Sequence, residues 1–222
     1  AVHALLALPD GDVLVGGTFA PTAAQSRLAR WNQANGLLGP VGSGVVGPDV
    51  LAFAAAPNGD VFIGGDFDSL GATSTAAGNL AILTTNCPAT VTPIPTGCVG
   101  PAGPLNLVVE TLPWVGSTFR SRATGFAPSI AMSVLGFSSL NLPLSVVLPT
   151  GLPNCSLLAT PDELIPALPF AGVSSYQFAI PDSPVLVGMA LFHQFVQLEI
   201  GSAGQLLSLS SSNALGLVLG LF

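Results

Sequence analysis

The sequence predicts an all-β chain, two propeller-blade-like antiparallel repeats followed by a β-sandwich. Three observations carry that expectation. The segment Val2–Phe19 returns as Val50–Phe67, forty-eight residues later. Short runs of Val, Ile, Leu, Phe and Thr recur throughout, bounded every ten residues or so by Gly, Pro, Asn or Asp. The 20 prolines and 26 glycines leave no room for a long helical period.

The repeat occupies residues 1–86. Its second half matches closely, PDGDVLVGGTF against PNGDVFIGGDF, and Arg27-Leu28-Ala29-Arg30-Trp31 corresponds to Asn79-Leu80-Ala81-Ile82-Leu83 after a four-residue insertion. A strand of about seven residues leads into Asp10-Gly11 or Asn58-Gly59. Such dipeptides favour a tight hairpin with both turn residues at positive φ. A second strand then ends in Gly-Gly, and a later strand carries the Arg-Leu-Ala-Arg-Trp segment. A period of 40–50 residues built from short strands describes a propeller blade, and two blades do not close a ring. The expectation is therefore the tail of a longer propeller or an open packing of two units.

Residues 87–104, CPATVTPIPTGCVGPAGP, lack strand or helix periodicity and read as a Pro-rich ordered linker. Residues 105–222 read as the sandwich. Its expected strands are Leu105–Glu110, Thr118–Ala123, Ile130–Phe137, Leu144–Leu148, Ser156–Ala159, Ser175–Ile180, Val185–Ile200 (one bent strand or two), Gln205–Leu209 and Ala214–Leu221. A helical turn is expected over Pro161–Ile165, with Thr160 as its N-cap.

Half the residues are hydrophobic and only 7% are charged, against roughly 25% in ordinary globular chains. There is no lysine, the four basic residues are arginines, and the net charge is −7. Nucleic acid and anionic membrane surfaces both require clustered basic side chains, so neither is expected as a partner. Apolar runs such as Val185–Phe192 are far short of the roughly 20 residues of a spanning helix, and no membrane insertion is expected. Lysine is also a usual guard of sheet edges. Its absence leaves two readings: loops cover the edges, or neighbouring molecules pair with them. The chain opens at Ala1 within a strand pattern, which reads as a processed product or a piece of a longer chain.

Catalytic chemistry finds little purchase. His3 and His193 are the only histidines, no Gly-x-Ser-x-Gly elbow occurs, and Schiff-base or P-loop chemistry lacks its lysine. His193, in Phe192-His193-Gln194-Phe195, reads as a hydrogen-bonded strand histidine. No catalytic residue and no cofactor is expected. Asp66 and Asp68, two apart after Gly64-Gly65, are the candidates for a calcium site, against a reading as a solvated or turn-capping pair. Trp114, following Pro113, is the candidate for stacking on a glycan, whereas Trp31 belongs to a blade strand. Arg120 and Arg122 project from one face of a strand toward Glu110, Glu199 or a partner's carboxylate. Cys87, Cys98 and Cys155 match no zinc spacing and read as one disulfide plus one thiol.

Several stretches carry a family resemblance: LPWVGSTFR from Leu112 to Arg120, GLPNCSLL from Gly151 to Leu158, and SSNAL from Ser211 to Leu215. With these, Cys98–Phe222 resembles the all-β C-terminal domain of large secreted repeat proteins of planctomycete-type bacteria. The preceding repeats look like the propeller-forming units that stand before such domains. The resemblance implies an extracellular, surface- or matrix-associated location and supplies no catalytic residues. It also implies a Cys98–Cys155 disulfide with Cys87 left over, Cys87–Cys98 being the local alternative. The functional expectation is a non-catalytic, secreted structural or adhesive protein that self-assembles through strand edges into a homo-oligomer or filament. The alternative is a glycan-binding module whose C-terminal domain serves sorting or anchoring.

Overall fold

A computed structural model describes residues 1–19, 27–42, 44–56, 59–71, 75–84 and 87–221. The fold is all-β, with several antiparallel sheets, none of them closed among the described residues. It divides into two compact units, residues 1–88 with 221–222 and residues 89–220.

In the first unit, β1 (Val2–Ala7), β2 (Val13–Gly17), β3 (Leu28–Trp31) and β4 (Leu38–Pro40) form one antiparallel sheet in chain order. After β5 (Val45–Val46) come β6 (Asp49–Ala55) and β7 (Val61–Asp66), then β8 (Ser69–Leu70), β9 (Thr75–Ala76) and β10 (Leu80–Leu83). The second repeat's sheet runs β10-β7-β6, and β5, β8 and β9 make a small sheet of their own. Both first strands break register at the same repeat position, between Val2 and Ala4 and between Val50 and Ala52.

The first hairpin turn differs from the expected type. Gly11 has φ +90°, but Asp10 is not at positive φ. The Gly11 N–H donates to the Leu8 carbonyl and the Leu8 N–H to that of Asp12. This is a type I turn followed by a left-handed glycine, a three-residue loop. Pro9 explains it, because its ring holds φ near −65° and excludes the mirror-image turn. Ala56, Gly59 and Asp60 repeat the same bonds, while Pro57 and Asn58 lie outside the described residues.

The two repeats pack through unlike faces. Register places Leu6, Leu14, Gly16, Leu28 and Arg30 on one face of the first sheet. Phe53, Val61, Ile63, Ala81 and Leu83 share a face of the second. Leu14, Leu28, Val50, Val61, Ile63, Phe67 and Ala81 belong to one buried core. A Cβ on Gly16 would stand 2.5 Å from Val50 Cγ1 and 2.8 Å from Phe53 Cζ, so only glycine allows this approach.

The second unit holds β11 (Thr90–Ile94), β12 (Asn106–Thr111), β13 (Thr118–Thr124), β14 (Ile130–Gly136), β15 (Ser139–Pro143), α1 (Leu144–Val147), β16 (Ser156–Ala159), β17 (Glu163–Ala167), β18 (Val173–Ala179), β19 (Ala190–Ile200) and β20 (Leu206–Val218). A five-stranded sheet runs β11-β20-β19-β14-β17, a three-stranded sheet β12-β13-β18, and β15 pairs with β16. Leu107, Phe119, Ala123 and Tyr176 of the smaller sheet share a core with Ala131, Leu191, Phe195, Leu215 and Leu217 of the larger. Val134 and Val196 of the larger sheet join Cys98, Leu144, Cys155 and Ala159 in a second core.

Four local expectations are corrected here. Thr90–Ile94, within the segment read as a linker, is an edge strand paired to β20. Leu144–Leu148 is a helical turn rather than a strand, because only Leu144 enters a core while Val146 and Val147 stay exposed. No helical turn forms over Pro161–Ile165, since Glu163–Ala167 pairs with β14 and this tertiary pairing overrides the local capping signal. Gln205–Leu209 and Ala214–Leu221 are largely one strand, Leu206–Val218, whose Ser208, Ser210, Ser211 and Ser212 are buried instead of marking a break.

Both edge strands of the five-stranded sheet carry a proline within them, Pro93 in β11 and Pro166 in β17. Each removes a backbone donor from an edge, a guard that takes the place of lysine. Among the described residues, no helix is long and apolar enough to cross a membrane.

Candidate functional site

Polar side chains converge most densely on the first hairpin. The Asp12 carboxylate is buried and accepts from Arg30 Nε at 2.7 Å, from Asn32 Nδ2 at 3.2 and 3.3 Å, and from the Gln33 N–H at 3.0 Å. Arg30 Nη2 also meets Asp10, whose Oδ1 accepts the Asp12 N–H. Burial pushes the Asp12 carboxyl up, but the Gln33, Arg30 and Asn32 donors outweigh it and hold the group below its usual range. At Asp10 burial dominates over the Arg30 charge and the pKa is raised. The cluster is fully engaged in tying β3 and the following turn to the β1–β2 hairpin. Asp12→Ala is expected to cost about 1–3 kcal/mol by stranding those donors. Urea unfolding of Asp12→Ala and Asp12→Asn checks this, with Asn the milder change.

Next to that cluster lies a cavity of about 340 Å³, lined by Leu8, Leu14, Val41, Leu83, Thr84 and Arg30 among others. Its charged lining group is the Arg30 already held by Asp10 and Asp12. Among the described residues the rest of its lining is largely apolar, with Thr84 and the Cys87 thiol but no histidine or carboxylate.

His193 is buried in the second unit. Its Nδ1 pairs with the Val134 carbonyl at 3.2 Å, and its ring lies 4.8 Å from Tyr176 and 5.2 Å from Phe195. Nε2 has no hydrogen-bond partner among the described residues. Burial depresses the pKa from 6.5 to about 4. The unfolded chain thus binds a proton at a pH where the folded chain does not. His193 contributes fully above pH 6.5, and its contribution falls as pH drops from 6.5 toward 4, by roughly 3 kcal/mol in all. Unfolding midpoints measured from pH 7 to pH 4 should show this decline, and His193→Phe should flatten it.

The other expected site residues are not brought together. Asp66 and Asp68 are exposed on either side of buried Phe67, and no group of three His, Cys, Asp or Glu that could hold a metal occurs among the described residues. Trp114 is only 5% exposed, so it presents no face to a glycan. Burial corrects that expectation: the tryptophan is anchored by the Ser117 N–H and Oγ on its carbonyl and by a backbone bridge to Gly220. Arg122 pairs with Glu110 at 3.2 Å and Arg120 with Gln177 at 3.3 Å on the outer face of β13, while Glu199 accepts from Ser208. His3 meets Thr18 Oγ1 at 2.8 Å and Asp49 at 3.4 Å.

Cys98 and Cys155 form a disulfide. Around it, two side chains that the sequence did not single out replace missing backbone partners. Gln194 accepts from the Leu158 N–H and donates to the Ser156 and Ser212 carbonyls, fastening β16 to β19 and β20. Asn213 both accepts from and donates to the Leu107 backbone, standing in for a strand neighbour of β12. Composition offers no signal for either, since both look like ordinary surface amides until pairing buries them.

Comparison of the chain with protein-family models, with curated proteins and with solved structures returns no match.

Proposed function

We propose that this protein is a non-catalytic extracellular structural or adhesive component whose subunits assemble with one another. The observation that carries this reading is the surface. In a chain with only 7% charged residues, large apolar side chains stand exposed along both units, among them Leu5, Leu80, Val146, Leu168, Phe170 and Val185. Where such side chains adjoin, as Phe62, Leu80 and Ile82 do on one sheet face, they mark an association site. The polar clusters support the same reading, because each is engaged in holding strands together.

In finer detail, the first unit is read as two propeller-type blades and the second as a sandwich, in keeping with the resemblance to secreted planctomycete-type repeat proteins. The Cys98–Cys155 disulfide fits an oxidising compartment outside the cell. Light scattering on the purified 222-residue chain at micromolar concentration tests the assembly. Masses well above 22.2 kDa are expected, and a single species of that mass would refute it.

A further inference from the structure

The repeat offers an internal control for what each of its faces is for. In the first repeat, the face bearing Leu14, Gly16 and Leu28 receives the second repeat, and Val50 and Phe53 press onto Gly16. The same face exists in the second repeat. Phe62, Gly64, Leu80 and Ile82 stand where Leu14, Gly16, Leu28 and Arg30 stand in the first, and register puts all four on one side of the β10-β7-β6 sheet.

That second face is open. Phe62, Ile82 and Leu80 are 39%, 49% and 56% exposed. Among the described residues, a Cβ on Gly64 would meet nothing closer than Ala52 Cβ at 4.0 Å, whereas one on Gly16 would collide with Val50 and Phe53. The glycine that close packing demands in the first repeat is therefore present in the second without its occupant. Ile82 stands where the covered copy has Arg30, so these four positions hold no charged side chain; the carboxylates of this side, Asp49 and Asp66, lie at the end of the sheet.

The matching knobs are also free. Val2 and Leu5 are the first-repeat counterparts of Val50 and Phe53, the residues that seat on Gly16. Val50 is fully buried, yet Val2 and Leu5 are 55% and 65% exposed. One chain thus carries an unfilled socket around Gly64 and an unused pair of knobs that fit a socket of that kind.

We infer that the Phe62–Gly64–Leu80–Ile82 face docks the exposed Val2 and Leu5 of a second copy of this chain, as the Gly16 face receives Val50 and Phe53. Val15 and Ala29, on the same side of the first sheet as Leu5, are already buried within the chain and take no part. This inference rests on the assembly reading above and names the surface. The contact is heterologous, since socket and knob are different patches, so it propagates head to tail into a ring or a filament. It joins sheet faces, and so does not require the edge strands that Pro93 and Pro166 interrupt.

Complementation between two variants tests it. Gly64→Leu fills the socket and leaves the knobs; Leu5→Asp spoils the knobs and leaves the socket. Both sites are open, so both variants should keep the wild-type circular dichroism. If Gly64→Leu does not fold, the double variant Phe62→Asp/Ile82→Asp takes its place. By light scattering, each variant alone should run as a monomer at concentrations where the wild type assembles. Mixed in equal amounts they should give a species of twice the chain mass and nothing larger, each chain supplying the surface the other has lost. Folded variants that assemble as the wild type does, or a mixture that stays monomeric, would overturn the docking surface while leaving assembly by another route intact. A wild type that is monomeric throughout would overturn both.

Discussion

Replacing Cys98 and Cys155 together by alanine is expected to destabilise the second unit by about 4 kcal/mol. The bond closes a loop with a sequence separation of 57, and a cross-link of that span restricts the unfolded chain by an amount of this order. Both cysteines are buried, in the core that Val134, Leu144, Val196 and Leu209 complete. Cys98 Sγ also accepts the Ser211 N–H, so the substitution leaves a buried donor in β20 unpaired. Urea titration of the double variant beside the oxidised wild type measures the loss. A change below about 1 kcal/mol would mean that the unfolded chain is already constrained elsewhere.

The second large effect is expected at Phe195. Its side chain is wholly buried between the two sheets of the second unit, with its ring edge-on to Phe126 at 5.8 Å. Truncation to alanine removes the largest side chain β19 contributes to that core, and such cavities cost about 3–5 kcal/mol. Because the first unit has its own core around Leu14, Val61 and Phe67, the loss should fall on the second unit alone. Phe67→Ala should do the reverse. Hydrogen exchange resolved along the sequence distinguishes the two: protection should collapse in β13, β14 and β19 for Phe195→Ala, and in β2, β7 and β10 for Phe67→Ala.

What the sequence made legible follows from how local each signal is. The all-β class was readable because turn residues and short apolar runs act within a few positions. The repeat was readable because Gly17 and Gly65 serve the same close approach in both copies: a Cβ on either would strike the backbone of the preceding bulged strand. Asp10-Gly11 alone points to a mirror-image turn, which Pro9 before it excludes. Thr90–Ile94 was hidden by its own Pro93, which reads as linker until β20 is placed beside it. Ser210–Ser212 reads as a break between two strands because nothing local says that a serine run will be buried within one strand.

The candidate site residues fared by the same logic. Arg122 meets Glu110 because both lie on paired strands, a contact that spacing alone could suggest. Trp114 follows a proline, which says nothing of its burial, and its backbone partner Gly220 lies more than a hundred residues away. The open face around Gly64 could not be read at all from one repeat. It emerges only when the covered face of the first repeat is laid over it.

Assembly by chains that complete one another is tested most directly by electron microscopy of the purified chain at micromolar concentration. Rings or filaments built from a repeating unit of one chain are the expected result. A field of isolated particles, each the size of a single 22.2 kDa chain, would contradict it.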